Sequence, residues 1–430
     1  MRAYLATPLG VACTAALVLP LSMTPGSATA ASAPAATTKA AEAAIPGSTR
    51  SLPLRPLGGA RSLATASEQG LARDNVKPFS LVGVVWDDAD APLNGTVQIR
   101  TRAAGTQRWS AWQDLETHNQ EHGADVGTPE RGAPDVHGST APLWVGDSDG
   151  VQIRVLAEEE PRAEGPDGTI GAHTVLPQGL RLELVDPGKE PAPEENAGPG
   201  VTELPALTKA QTEADAKVSG DAPSDVVRPY LGPRPRIVTR KGWGADETLR
   251  EKGAGYTGPV KVAFVHHSAT GDNYTCEEAP TVLRSIYRYH VKSSGWRDIG
   301  YNFAVDKCGT IYEGRSGGVA KAVMGAHTLG FNSDSTGIAV LGSYDTTAPP
   351  AAVTTALAKL TAWKLGLYGG NPEGEVTVTS QGGGKYAKGK QVSLNTLSGH
   401  RDGFITECPG TQLYKKLGEI RKLAAADQGR

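Results

Sequence analysis

The 430-residue chain has little charge of one sign in excess: 43 Lys+Arg against 46 Asp+Glu give a formal net charge of −3, and no basic stripe stands out. A nucleic-acid partner is therefore not implied. Cysteine is scarce, with four residues and no Cys-x-x-Cys pair. Beyond the N-terminus no stretch approaches the ~20 apolar residues that a membrane-spanning helix needs. What is present is 39% hydrophobic and 21% charged residues, with 53 Gly and 30 Pro concentrated outside the candidate folded units. That profile fits a soluble globular protein with room for two domains, or three.

The N-terminus reads as an export signal. Arg2 precedes a mostly apolar run to about Leu21, followed by Pro25, Gly26 and the small-x-small pattern Ala28-Thr29-Ala30. The competing reading, a short membrane anchor, is disfavoured because the run is interrupted and a small-residue cleavage site follows. A lipid-modified Cys13 is disfavoured because the apolar run continues past it. The expected mature protein is secreted or held at the cell wall, with no membrane span once the signal is removed. Cys13 leaves with the signal, so Cys276, Cys308 and Cys408 remain. An oxidising exterior favours disulfides, and three is odd.

Residues 31–77, rich in Ala, Ser, Thr and Pro, read as a flexible tether. Residues 78–186 carry short β-type runs: FSLVGVVW, GTVQIRTR, PLWVG, GVQIRVL and LRLELV. They predict a smaller all-β, sandwich-like domain. VQIR occurs twice, at 97–100 and 151–154, which fits either equivalent strands or coincidence. Trp109 and Trp112 fit either a sugar platform or core packing, and core packing is the favoured reading. Residues 187–232 read as a Pro/Glu-rich linker.

Residues 233–426 predict an α/β domain, a central mixed sheet flanked by helices. VKVAFV suits a buried central strand. Thr275 and Glu278 form a capping-box pattern before a helix carrying Val282 and Ile286. NFAVD, TIYEG and TGIAVLG are further strands. Val353, Leu357, Leu360 and Leu367 mark a second helix, and Leu413, Leu417, Ile420 and Leu423 a third. VTVTSQGGGKYAKGKQVSL (376–394) reads as an additional hairpin that forms one rim of a groove.

The chemistry-bearing residues gather in this last domain. His266 and His267 end the apolar strand, and alternation prevents both from entering one site. His400 and Cys408 lie eight residues apart, an N and S pair that suits tetrahedral zinc. A histidine from the strand end would complete three ligands and leave an open position, the catalytic arrangement. The same residues also fit a hydrogen-bonded histidine and a buried thiol, a Cys–His nucleophilic pair, or a structural zinc with His327 or His267 as fourth ligand. Cys276 and Cys308 flank one helix and one strand and are read as a disulfide. Its closed loop contributes about 3–4 kcal/mol in the chain-entropy model. Cys408 is then the odd thiol.

FVHHSAT (264–270), GWRDIGYNFAVD (295–306), IYEGR (311–315), GAHTLGFNSDSTGIAVLGSYD (325–345) and GHRDGFITECPG (399–410) occur in this order. The set resembles the peptidoglycan recognition protein family, which is similar to zinc-dependent N-acetylmuramoyl-L-alanine amidases of the phage lysozyme type. The resemblance covers about 234–425. It implies zinc ligands at His266, His400 and Cys408, a catalytic Tyr301, an active-member Thr406, and groove-lining positions at His327 and Asn332. It implies Zn2+ as cofactor and peptidoglycan as partner. The reaction it implies is hydrolysis of the amide between N-acetylmuramic acid and L-alanine. Members selective for diaminopimelate-type stems often carry Gly-Trp after EGR, whereas SGG (316–318) stands here. Non-catalytic peptidoglycan binding is the main alternative. Recognition-only members commonly lack the cysteine ligand, and Cys408 favours catalysis. A Cys-dependent peptidase is the third reading, separable by chelation.

Overall fold

The computed structural model describes residues 47–57, 67–117, 119–158, 174–189, 202–219 and 229–430. The expected signal sequence and Cys13 lie outside the described residues.

The first domain contains β1 (Ser48–Pro53), β2 (Arg55–Pro56), β3 (Glu68–Arg73), β4 (Phe79–Trp86), β5 (Gly95–Ala103), β6 (Gln113–Leu115), β7 (Gly138–Ser139), β8 (Leu143–Ala157) and β9 (Arg181–Asp186). The long β8 serves two layers: its start pairs with β4, and its remainder with β3 and β5. The β1-β9-β4 layer thereby folds over β5, β8 and β3, with one apolar cluster joining them. The expected tether is corrected here, since β1, β2 and β3 fall within it. β1 pairs along its full length with β9. Such an edge strand is held by backbone hydrogen bonds, so its polar sequence STRSLP carries no apolar signature.

β4 is buried from end to end because it faces two cores. Val82, Val84 and Trp86 join Ile99, Ile153, Leu182 and Leu184 inside the β domain. Leu81 and Val85 point the other way and pack with Val282, Leu283 and Ile286 of the next domain. A Cβ at Gly83, on that second face, would overlap the ring and hydroxyl of Tyr289. The Tyr289 hydroxyl donates toward the Val84 and Thr140 carbonyls, at 3.3 and 3.1 Å. The two domains therefore share an apolar core.

The two VQIR copies are adjacent antiparallel strands: Val97 pairs with Val155 and Ile99 with Ile153. Arg100 donates to Gln152 Oε1 at 2.9 and 2.7 Å, and Arg154 to Gln98 Oε1 at 2.8 Å. The expected core role for the nearby tryptophans is overturned. Trp112 is 36% exposed and lies against Arg100 and Arg154. These guanidinium planes cover its face, a cation–π arrangement that needs no core.

The second domain contains β10 (Glu203–Leu204), α1 (Lys209–Ser219), β11 (Ile237–Val238), β12 (Val262–His267), α2 (Ala279–Arg288), β13 (Phe303–Val305), β14 (Ile311–Glu313), β15 (Ser335–Val340), α3 (Ala351–Gly366), β16 (Glu375–Thr379), β17 (Gln391–Asn395), β18 (Leu397–Gly399), α4 (His400–Gly403) and α5 (Thr411–Gln428). The mixed sheet runs β10-β11-β14-β13-β15-β12-β18. Part of the expected linker is thus ordered: β10 extends the sheet and α1 follows it. β12 is internal and wholly buried, parallel to both β15 and β18. Its Ala263 and Val265 face α3 and α5, through Leu357, Leu360, Leu417 and Ile420. Val262 and Phe264 face Phe331 and the β16–β17 hairpin.

The capping box forms as read. Thr275 N donates to Glu278 Oε2 at 2.7 Å, and Glu278 N to Thr275 Oγ1 at 3.3 Å. Along α5 one expected core position shifts: Leu423 is exposed and Ala424 is buried in its place. Four residues on from Ile420 is the inward position at 3.6 residues per turn. Cys276 and Cys308 form the expected disulfide, with Cα atoms 6.2 Å apart. Among the described residues no helix is long and apolar enough to cross a membrane.

Candidate metal centre

The internal strand sets the centre. On β12, His266 continues the face of Val262 and Phe264, while His267 continues the opposite face. Val265 pairs with Gly399 on β18, so His400 emerges beside His266 at the same end of the sheet. Asp402 fixes that turn by accepting from Gly399 N at 2.8 Å and from the Tyr414 hydroxyl at 2.6 Å. Arg401 N donates to the Cys408 carbonyl at 3.0 Å and folds Cys408 back toward His400.

One ligand atom each from His266, His400, Cys408 and His122 lies within 4.8 Å of all the others. The first three are the ligands implied by the sequence motifs. The fourth, His122, comes from the β6–β7 connection of the β domain. Cys408 Sγ lies 3.8 Å from His266 Nδ1. The other nitrogen of His266, Nε2, is 3.2 Å from His327 Nδ1 and 3.4 Å from Thr328 Oγ1. That second contact orients the imidazole, as outer partners of metal-ligating histidines do. Neither His267 nor His327 joins the cluster. His267 Nε2 sits 3.5 Å from Glu116, and the His327 ring rests over Gly337, where a Cβ would overlap it.

All four cluster residues are buried. Burial drives the imidazoles of His266 and His400 well below the ordinary histidine range, reinforced by their neighbouring imidazoles, and pushes His122 down to about 3. They are thus neutral, the form that binds metal. Burial, with Glu116 nearby, raises the Cys408 thiol. Among the described residues neither ring nitrogen of His122 has a hydrogen-bond partner. The Glu121 carbonyl lies close enough to His400 to favour its charged form slightly, but neither His400 nitrogen makes a well-formed hydrogen bond. Orphaned buried nitrogens cost free energy unless something completes them. Three imidazoles and one thiol within 4.8 Å fit a zinc ion, which takes N and S donors.

Tyr301 borders the cluster, its ring centroid 5.5 Å from His266 and 5.8 Å from His122. His290 backs it at 5.7 Å and is itself held by Trp296 and by Gly300 N. Burial, then the nearby Cys408, raises the Tyr301 phenol, which stays a donor. Thr406 Oγ1 accepts from Cys408 N at 3.1 Å and donates to Glu121 Oε1 at 2.9 Å. Burial pushes the Glu121 carboxyl up to about 7. Asn332 is buried: its Oδ1 accepts from His327 N and Thr328 N, and its Nδ2 donates to the Gly123 carbonyl and Asp125 Oδ1.

Sequence reading missed His122, Glu121, Asp125 and Glu130. They sit in a polar loop with no helical or strand periodicity. One signal was present: the 116–137 connection is far longer than an ordinary hairpin loop, and long connections are commonly functional.

Residues 256–411 match the family profile described as N-acetylmuramoyl-L-alanine amidase. Residues 29–172 match one described as Rv3811 N-terminal galactose-binding domain-like. The chain is 36% identical over 184 residues to peptidoglycan-recognition protein SC2 of Drosophila simulans, covering 42% of this chain and 84% of that protein. It is 32% identical over 216 residues to human N-acetylmuramoyl-L-alanine amidase, covering 47% of this chain and 31% of that protein. Among solved structures, Drosophila PGRP-LB is 28% identical with a TM-score of 0.33, covering 42% of this chain and 92% of that one. The amidase LysC from Clostridium intestinale URNW is 25% identical with a TM-score of 0.32, covering 44% and 96%.

Proposed function

The chain belongs to the peptidoglycan recognition protein family, and from that premise we propose that it is a secreted zinc-dependent N-acetylmuramoyl-L-alanine amidase. Its substrate is the amide between the lactyl group of N-acetylmuramic acid and L-alanine of the stem peptide. The observation that carries this reading is the joining of His266, His400 and Cys408 in one buried cluster beside Tyr301.

His266, His400 and Cys408 would hold a zinc ion, which would supply a Lewis acid for the scissile carbonyl and lower the pKa of water to about 7. The chain's own groups do the rest. His327 and Thr328 hold the His266 ring in place. Tyr301, kept protonated by burial, donates a hydrogen bond to the oxygen on which charge develops; such a donor is worth about 2.7–4 kcal/mol. Thr406, whose Oγ1 is fixed by Cys408 N, would hydrogen-bond the attacking water. The Cys276–Cys308 disulfide supports action in an oxidising compartment.

The test is to incubate the full chain, and the full chain carrying His122→Ala, with purified peptidoglycan and to quantify stem peptides with free N-terminal alanine. Zinc-dependent release, lost on chelation and in Cys408→Ala, supports the reading. Tight binding with every sugar–peptide amide intact in both proteins overturns it in favour of recognition alone. Release that survives chelation indicates a thiol nucleophile instead.

A further inference from the structure

The centre just described is sealed. His266, His400 and Cys408 have no exposed surface, and Tyr301 is 5% exposed. A cell-wall polymer cannot reach them in this arrangement. What closes the centre is a segment of the β domain, and its composition is anomalous. Asn119 and residues 121–125 (EHGAD) are buried although most are polar. Buried polar groups need partners; Asn119 finds one on Ser139 of its own domain, and Glu121, Gly123 and Asp125 find theirs on the α/β domain.

Two of the partners, Thr406 and Asn332, are groups expected to serve the reaction and its substrate. Thr406 donates to Glu121, and Asn332 donates to Gly123 and Asp125. Leu329 N donates to the Glu121 carbonyl at 2.8 Å, and Gly330 N to Asp125 Oδ1 at 2.7 Å. Further along, Glu130 forms a two-pronged pair with Arg315 at 2.9 and 2.7 Å, both side chains 7% exposed. Only the tip between these anchors reaches solvent, where Val126 is 50% exposed. Between the first anchors sits His122, with neither ring nitrogen hydrogen-bonded among the described residues and one within 4.8 Å of the other three ligand atoms.

We infer that His122 is a fourth protein ligand to the metal, carried into the centre by a β-domain plug that keeps the enzyme latent until the plug is withdrawn. The inference rests on the zinc-amidase reading. Three protein ligands leave a catalytic position open, whereas four close it. His122 takes the place that water or the substrate carbonyl must occupy, and Glu121 to Glu130 fill the groove around it. Withdrawal exchanges His122 for water, with no covalent change.

The test uses the full chain, His122→Ala, and a third form with a specific protease site inserted between Val126 and Gly127. With cobalt in place of zinc, the unaltered chain should give a visible spectrum indifferent to added imidazole, because its ligand shell is closed. His122→Ala should give a shifted spectrum that imidazole restores. Competition with a chelator should show zinc affinity lowered in His122→Ala by at least the roughly 10–100-fold that loss of an outer-shell partner costs. Cutting at the inserted site should speed zinc release. Stem-peptide release should rise about tenfold or more in His122→Ala and in the cut chain, the size of effect expected when a minor open state becomes dominant.

An unaltered chain whose cobalt spectrum responds to imidazole as His122→Ala does overturns the inference. So do zinc retention and turnover that neither change alters. If His122→Ala fails to fold, by circular dichroism, the cut chain decides on the same criteria. Zinc results as expected with no amide cleavage by any form would sustain the fourth ligand and sink the catalytic reading. Equal turnover and equal zinc retention in all forms would do the reverse.

Discussion

The Glu130–Arg315 pair gives the sharpest energetic test of how the two domains are joined. Glu130 lies on the β-domain loop and Arg315 on the α/β domain, joined by hydrogen bonds of 2.9 and 2.7 Å. Burial alone would raise the Glu130 carboxyl, but the charge and hydrogen bonds of Arg315 outweigh it and hold the group below its ordinary value of 4.5. Glu130→Ala leaves a buried guanidinium without its main partner, a change that costs about 3–5 kcal/mol when nothing else compensates. Compensation exists here: Arg315 Nε still donates to the Ile299 carbonyl at 2.8 Å, and the Asp298 carboxylate stays close. The expected loss is therefore about 2–3 kcal/mol, with a Glu130→Ala/Arg315→Ala coupling of similar size. Urea denaturation should measure it, followed by both tryptophan fluorescence and far-UV circular dichroism. Coincident transitions would also reflect the apolar core shared across the domains.

The sign with pH follows from the depressed carboxyl. Its contribution is fully present above about 4.5 and is lost as pH falls through the lower folded-state value. The groups facing it are Arg315 and Arg297, with Asp298 and Arg240 acting on Arg315. With the Glu130 carboxyl held below its ordinary value and the Arg315 guanidinium raised, the pair stays charged between pH 5 and 8, so Glu130→Ala should destabilise equally across that window. A loss under about 0.5 kcal/mol, or a coupling near zero, would refute the reasoning, since it is the value of a solvent-screened surface pair.

Tyr301→Phe should lower turnover by about 10²–10³ with zinc content unchanged, as for loss of one preorganised donor; parallel metal analysis and kinetics check it. His327→Ala should leave turnover per bound zinc nearly intact but weaken zinc affinity by roughly 10–100-fold, because it removes the partner that orients His266. Gly83→Ala should destabilise the chain by about 1–3 kcal/mol through overpacking against Tyr289. Tyr289→Phe should not rescue it, because ring carbons as well as the hydroxyl stand in the way; thermal unfolding of the single and double variants tests this.

Elements with strong periodicity were legible before any coordinates. The 3.6-residue spacing of Val353, Leu357 and Leu360 marks α3, and the reciprocal Thr275–Glu278 cap marks the approach to α2. The departures share a cause. β1 pairs through its backbone, Trp112 is covered by guanidinium planes, and Leu423 loses its inward place to Ala424 one position along the helix. Partners distant in the chain settle such positions, and local pattern does not record them.

The same division holds at the centre. His266, His400 and Cys408 stand in ordered motifs at the ends of β12 and β18, and parallel pairing brings such strand ends together. The sequence by itself therefore pointed to His266, His400 and Cys408 as candidate ligands, to the neighbouring Tyr301 and to the disulfide that leaves Cys408 free. Only the tertiary structure decided that His122, 144 residues before His266, meets them, and that Thr406, Asn332 and Arg315 are engaged by Glu121, Asp125 and Glu130. The physical reason is that a strand advertises its burial through side-chain alternation. A polar loop is buried only because another domain supplies its hydrogen bonds, and those are visible once both are folded.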